Sequence, residues 1–429
     1  DKADNIKHKI GVVTGKDELK LSDQNLVPKQ GQGGASIQSI LQRAFPFYEL
    51  VDVDLKGGDA EVDKTLDGLI ITQPQKAYTD KELRRVDQFV MLGNKSLAVF
   101  ASAVTLKPQD PSMSATLDTH NLDKLLTGYG IDMKKDAVLD FGSQFRIGVI
   151  TPTGGISAIR HPGIAHVVDD PRFGEKDQLL DTSFAGFFRM EEILFPFPST
   201  LELSPDKQPG AKLYAVARTT PAASALTEGT IDMKMRANWE PKPPFQQRII
   251  AAVAEGKLKS AFAGTPDDGV KANAQTPQPS RVLVVSSSEF ITNPFAYSGN
   301  GPDLGAQFAM FGGTGGDRQL LMIASQYANR YLTNTILSMK NTLDWISGDA
   351  DLLAASAKLI SEPNLTYSDV AKPKIAAEDD EAAIHKKDEE YKAERGKLQS
   401  GVQWTLSMGV PLFFAFFGLF RWRGRQAEN

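Results

Sequence analysis

The sequence predicts an α/β protein: a parallel, helix-flanked sheet with a β-rich insertion and a C-terminal transmembrane helix. Three observations predict it. Between residues 9 and 140, short apolar runs alternate with segments of helical period, the pattern of parallel strands joined by crossover helices. From about 141 to 280 the apolar runs shorten and are broken by Gly154-Gly155 and by Phe195-Pro196-Phe197-Pro198, which forbids a helix. Residues 398–420 are 23 consecutive positions without a charge, roughly 34 Å of helix and enough to cross a bilayer core.

Each element follows from local pattern. Lys9–Gly15 reads as a strand running into a turn, and Ile37, Ile40, Leu41 and Phe45 mark a helix. Tyr48–Leu55 alternates as a strand, and Asp67–Pro74 is a buried strand stopped by proline. Thr79 and Glu82 form a capping box that opens a helix along Leu83, Val86, Phe89 and Val90, with Gly93 as its left-handed stop. Ser96–Ala101 is the next strand, and Leu122, Leu125, Leu126 and Tyr129 the next helix. Further strands are predicted at Lys212–Arg218 and Arg281–Ser286, and a long helix or helix pair over Leu320–Ile346. A final strand is expected at Leu352–Lys358, after a Gly-rich loop over 299–316. The resulting division is a first α/β part (1–140), a β-rich insertion (141–280), an α/β return segment (281–360), a linker and charged stalk (361–397), the span (398–421) and a basic tail (422–429).

The span is read as membrane-embedded because Phe413, Phe414, Phe416, Phe417 and Phe420 point to every side of a helix and leave no polar face. Trp404 and Trp422 suit the two interfaces, and Arg421, Arg423 and Arg425 form a cationic cluster that favours a cytoplasmic C-terminus. Pro411 predicts a kink. This orientation puts residues 1–397 outside the cytoplasm of a bacterial inner membrane. Residue 1 is Asp rather than Met, so a processed or partial chain is expected. A net charge of −5 and a pI near 5.7 argue against a nucleic-acid partner. The absence of cysteine removes disulfides, thiolate nucleophiles and cysteine-ligated metals.

No motif establishes a chemistry. Gly11-Val12-Val13-Thr14-Gly15-Lys16 fails as a phosphate loop, because Ile10 and Asp17 stand where glycine and Ser/Thr are required. His161 and His166 are separated by Pro162-Gly163 and do not share a helical face, so a structural role is favoured over metal binding. Ser286-Ser287-Ser288-Glu289 follows a buried strand and reads as a turn in the absence of a nearby base; Asp52/Asp54 and Glu191/Glu192 are acid pairs without distinguishing context. No cofactor and no metal are implied.

Several stretches in order resemble one family. They are Leu66–Pro74, Tyr78–Glu82, Val86–Gly93, Leu125–Ile131, Arg281–Phe290 and Asn341–Asp349, followed by the closing span. Together they are similar to the auxiliary component of gliding-motility-type ABC transporters (GldG-like proteins), although Gln73 and Asn94 stand where that family usually has glycine. The resemblance implies an extracytoplasmic domain of glutamine-amidotransferase-like or flavodoxin-like fold, anchored in the lipid bilayer and partnering a separate permease and ATPase. It implies no catalytic residue, and amidotransferase chemistry is excluded because its cysteine nucleophile is missing. In open parallel sheets ligands collect at the C-terminal strand ends. That places candidate ligand or partner contacts at Thr14, Gly15, Lys16, Gln73, Gln75, Lys76, Ser102, Ser286, Ser287 and Glu289. The alternative is a membrane-tethered hydrolase of an envelope polymer. A coiled-coil scaffold ranks last, since Ile384, Tyr391 and Leu398 supply only one apolar position per heptad.

Overall fold

The computed structural model describes residues 7–28, 35–150, 156–300 (apart from 171, 175, 189, 228–230, 236–238 and 267) and 316–348, with 390, 393 and 397 beyond them. Its main sheet contains nine strands, numbered here in chain order. The first four are β1 (His8–Thr14), β2 (Tyr48–Asp54), β3 (Gly68–Thr72) and β4 (Ser96–Phe100). β5 (Ile131–Met133) closes the first part, the insertion contributes β6 (Leu201–Leu203), β7 (Ala211–Arg218) and β8 (Ile249–Gly256), and β9 (Ser280–Val285) returns to the parallel set. The helices are α1 (Ile37–Ala44), α2 (Asp80–Val90), α3 (Leu122–Gly128), α4 (Pro294–Gly299) and α5 (Arg318–Ser347).

The sheet runs β2-β1-β3-β4-β9-β8-β6-β5, with β7 also paired to β8. The first five strands are parallel. Their order, 2-1-3-4 and then the last, is that of the flavodoxin-like doubly wound sheet. From β8 onward the pairing is antiparallel. The insertion therefore prolongs the sheet before the chain returns through β9 beside β4.

Burial follows from this layout. Every residue of β3 and β4 is buried, as central parallel strands covered on both faces require. One face carries Val13, Leu69, Ile71, Leu97, Val99, Val282 and Val284 against Leu83, Val86, Phe89 and Val90 of α2 and Leu122, Leu125 and Leu126 of α3. Burying a side chain such as Phe89 contributes about 1.5–3 kcal/mol. The other face meets α5, whose Ile346 Cγ2 lies 2.4 Å from where a Cβ on Gly68 would stand; the Ser96 carbonyl lies 2.6 Å from the same point. Only glycine allows the helix and the neighbouring strand to approach so closely. We expect Gly68→Ala to destabilise the protein by about 1–3 kcal/mol through overpacking, measurable as a lower denaturant midpoint with an unchanged slope. A midpoint equal to wild type would show that Ile346 can yield without cost.

The helix boundaries match their predicted signals. Thr79 Oγ1 accepts from Glu82 N–H and Glu82 answers to the Thr79 N–H, completing the capping box of α2. The chain leaves α2 through Gly93 at φ +84°. The segment read as one helix or two is a single helix, α5, capped by Asp317 and stopped by Gly348 in the left-handed region.

A second core joins the insertion to its flanks: Phe145, Ile147 and Phe197 pack with Val104, Leu106 and Met113 and with Phe295, Ile323, Tyr327 and Tyr331 of α4 and α5. A three-stranded antiparallel sheet (144–150, 156–168, 192–196) forms one wall of the insertion. Among the described residues no helix is long and apolar enough to cross a membrane. The predicted span 398–421, the charged stalk apart from residues 390, 393 and 397, the strand at 352–358 and most of the Gly-rich loop 299–316 lie outside the described residues.

Candidate functional site

The five parallel strands deliver their C-terminal ends to one edge of the sheet, and these ends have two different fates. Those of β3, β4 and β9 are stitched to one another's loops and to the insertion. The Gln73 carboxamide accepts from the Ser102 N–H (2.9 Å) and donates to Thr105 Oγ1 (3.2 Å), which contacts His120 Nε2 at 3.0 Å. Burial lowers the proton affinity of His120. Ser102 Oγ donates to the Phe197 carbonyl (2.9 Å), and Ser287 Oγ to the Pro196 carbonyl (2.5 Å). Ser286 Oγ accepts from the Ser199 N–H at 3.2 Å. All of these side chains are buried, so each bond replaces a lost contact with water. Glu289 is also buried; its carboxylate accepts from Thr292 Oγ1 at 2.6 Å, and burial pushes its pKa up to about 8.

The end of β1 remains open. Gly15 takes φ +112° there, turning the chain out of the strand. Lys16 Nζ crosses to Glu82 at 2.9 Å, which fastens the strand end to the N-terminus of α2. Glu18 accepts from the Lys16 N–H and from Tyr78 Oη, each at 2.8 Å. The Gln75 N–H donates to the Lys16 carbonyl, and Lys76 reaches Asp17 at 2.6 Å on the surface. Beside this knot lies a cleft of about 610 Å³ lined by Thr14, Gly15, Asp17, Glu18, Asp52 and Thr72, among others. It occupies the junction where the chain leads from β1 to β2 on one side and β3 sits on the other, the switch point at which doubly wound sheets bind ligands. Thr72 Oγ1 is fully buried at this cleft and makes no hydrogen bond.

The predicted residues therefore divide. Thr14 and Gly15 line the cleft, and Lys16, Gln75 and Lys76 tie its rim. Gln73, Ser102, Ser286, Ser287 and Glu289 lie in the buried seam. Trp404, Arg421, Trp422, Arg423 and Arg425 fall outside the described residues. Sequence reasoning missed Asp17, Glu18 and Thr72, and left Asp52 as a bare acid. The available signal for Asp52 was its two-residue spacing from Leu50 on an edge strand, which puts both on one face.

Three carboxylates against Lys20 make the cleft acidic, the wrong sign for a nucleotide phosphate. Lys16, the lysine best placed by sequence for such a role, is committed to Glu82. Among the described residues no group of His, Asp and Glu side chains is arranged to hold a metal ion. The hydroxyls of Ser286 and Ser287 are bound to backbone groups, and the buried acids raised by desolvation (Asp87, Asp136, Asp140 and Glu289) do not line the cleft.

The family model of an ABC-type uncharacterized transport system matches residues 7–312, from β1 through α4. The chain belongs to this family. Its match includes the insertion as well as the parallel strands, and the resemblance to an auxiliary ABC-transport component holds on that ground. Among curated proteins, no significant relative is found.

Proposed function

We propose that the protein is a non-catalytic accessory subunit of an ABC-type transporter. Its α/β body lies outside the cytoplasm and binds a ligand or partner at the strand-end cleft. Residues 398–421 anchor it in the inner membrane, with Trp404 and Trp422 at the interfaces and Arg421, Arg423 and Arg425 on the cytoplasmic side, beside a separate permease and ATPase. The observation that carries the reading is the cleft itself, sited at the β1/β3 switch point of a family member and containing a buried hydroxyl without a partner. ATP hydrolysis belongs to another polypeptide in this scheme, because Lys16, which directly follows the β1 turn, is held by Glu82 and the cleft beside it is acidic.

Two measurements test it. Purification of the full chain from native membranes in mild detergent should recover a permease and an ATPase in stoichiometric amounts; recovery of the chain alone, beside a control transporter that stays intact, would overturn the proposal. At the cleft, Thr72→Val removes an unsatisfied hydroxyl at nearly constant shape. Folding stability should stay level or rise by up to about 1 kcal/mol, while transport by the complex should fall. Unchanged transport in both Thr72→Val and Asp52→Asn would move the functional surface elsewhere.

A further inference from the structure

Away from the strand ends, a separate hollow of about 270 Å³ opens between the insertion's three-stranded sheet and α5, with Arg146, His166, Arg330 and Tyr331 in its lining. Arg146 stands directly across the antiparallel ladder from Arg160. Facing residues of a ladder share one side of the sheet, with Cβ atoms about 5 Å apart, and like charges in that position destabilise it. Arg330 enters the same hollow from α5 with its guanidinium 5.0 Å from the centroid of the Tyr331 ring. All three arginines are exposed, and none has a hydrogen bond or ion pair among the described residues. The nearby carboxylates are already engaged: Glu192 by His166 Nε2 at 2.6 Å, and Asp140 by Thr220 and by the Gly142 and Ser143 N–H groups.

A surface arginine is usually solvated or paired with an acid. Here Arg146 and Arg330 share the lining of one hollow without one among the described residues, Arg146 set against Arg160 by the strand register and Arg330 braced by an aromatic ring. The guanidinium fork matches the oxygens of a phosphate group, and charge-assisted bonds to such an anion would convert the repulsion between Arg146 and Arg160 into shared attraction.

We propose that this hollow is a binding site for a phosphate-bearing anion, independent of the strand-end cleft and of the accessory-subunit reading. Arg146 and Arg330 grip the anion, and Arg160 supplies field from across the ladder. The anion is either a free phosphate or the phosphodiester of a lipid headgroup.

The test uses the full chain in neutral detergent at low salt, titrated calorimetrically with inorganic phosphate and, separately, with glycerophosphoglycerol, the deacylated headgroup of phosphatidylglycerol. Saturable binding of one equivalent is expected. Arg146→Gln and Arg330→Gln should each weaken it at least tenfold, with Lys207→Gln, an exposed cation elsewhere, leaving it unchanged. Tighter binding of the headgroup assigns the site to lipid, and tighter binding of phosphate assigns it to a free anion. A second readout separates a site from mere positive charge. Without phosphate, Arg160→Thr should raise the melting temperature, and it should abolish most of the rise that phosphate gives the wild type. Failure of both probes to saturate, equal weakening by Lys207→Gln, or a lower melting temperature for phosphate-free Arg160→Thr would overturn the proposal.

Discussion

Replacing Asp87 by alanine is expected to destabilise the protein by about 3–5 kcal/mol, because three donors lose their shared buried acceptor. The carboxylate accepts from Tyr129 Oη at 2.7 Å, from Ser260 Oγ at 2.7 Å and from the Ala261 N–H at 2.9 Å. It thereby ties α2 to the end of α3 and to the turn after β8. Burial raises its proton affinity, and the three donors oppose that rise. Alanine leaves all three donors without an acceptor, each at a desolvation cost of about 1–3 kcal/mol less whatever water recovers. Asp87→Asn keeps an acceptor and should cost less than half as much. Denaturant titration of both variants decides the matter: a loss below about 1 kcal/mol for Asp87→Ala would mean that the three elements are held by their apolar contacts alone.

Glu289 governs the second large effect, which appears as a dependence on pH. Its ordinary pKa is 4.5, and burial moves it to about 8 in the folded protein. Below 4.5 the carboxyl is protonated in both states and contributes nothing. Between 4.5 and about 8 the unfolded chain releases the proton while the folded chain retains it, so stability falls as pH rises. Above 8 both states are ionised and the penalty is constant. At about 1.4 kcal/mol per pH unit the accumulated loss is on the order of 3–5 kcal/mol. Glu289→Gln should therefore match wild type near pH 5 and exceed it in melting temperature at pH 8.5. Asp87, Asp136 and Asp140 shift in the same direction, so the informative quantity is the difference between variant and wild type. Parallel melting profiles across this range would show that Glu289 titrates normally.

These two residues mark the limit of what the sequence makes legible. β1, β3 and β4 are evident from continuous apolar runs, and α2 from its Thr79–Glu82 box, because each signal is confined to a few neighbouring positions. The antiparallel half of the sheet is not evident. β5 and β6 are three residues each, too short to carry a period, and they form only by pairing with distant strands. The candidate site divides in the same way. Its location follows from the rule for parallel sheets, yet which strand ends stay open depends on where Pro196–Ser199 lands. Gln73 meets Ser102 across 29 positions and Ser199 meets Ser286 across 87. Ser286–Glu289 reads locally as an exposed polar turn, and only the insertion packed above it turns it into a buried seam. Asp52 reads as one acid among many until the fold brings it to the cleft.

The 30-residue helix α5 has a mechanical consequence. At 1.5 Å per residue it is a rod about 45 Å long. Near its start Ala324 receives Asn293, the cap of α4, midway Asn334 holds the Glu192 carbonyl of the insertion, and at its end Trp345 receives Arg281 of β9. Asp344 meanwhile bonds Tyr48 at the opposite border of the parallel strands. A helix that long resists bending far more than the loops around it. One continuous element therefore joins the Glu192 strand of the insertion to both borders of the parallel strands through side chains anchored along its length.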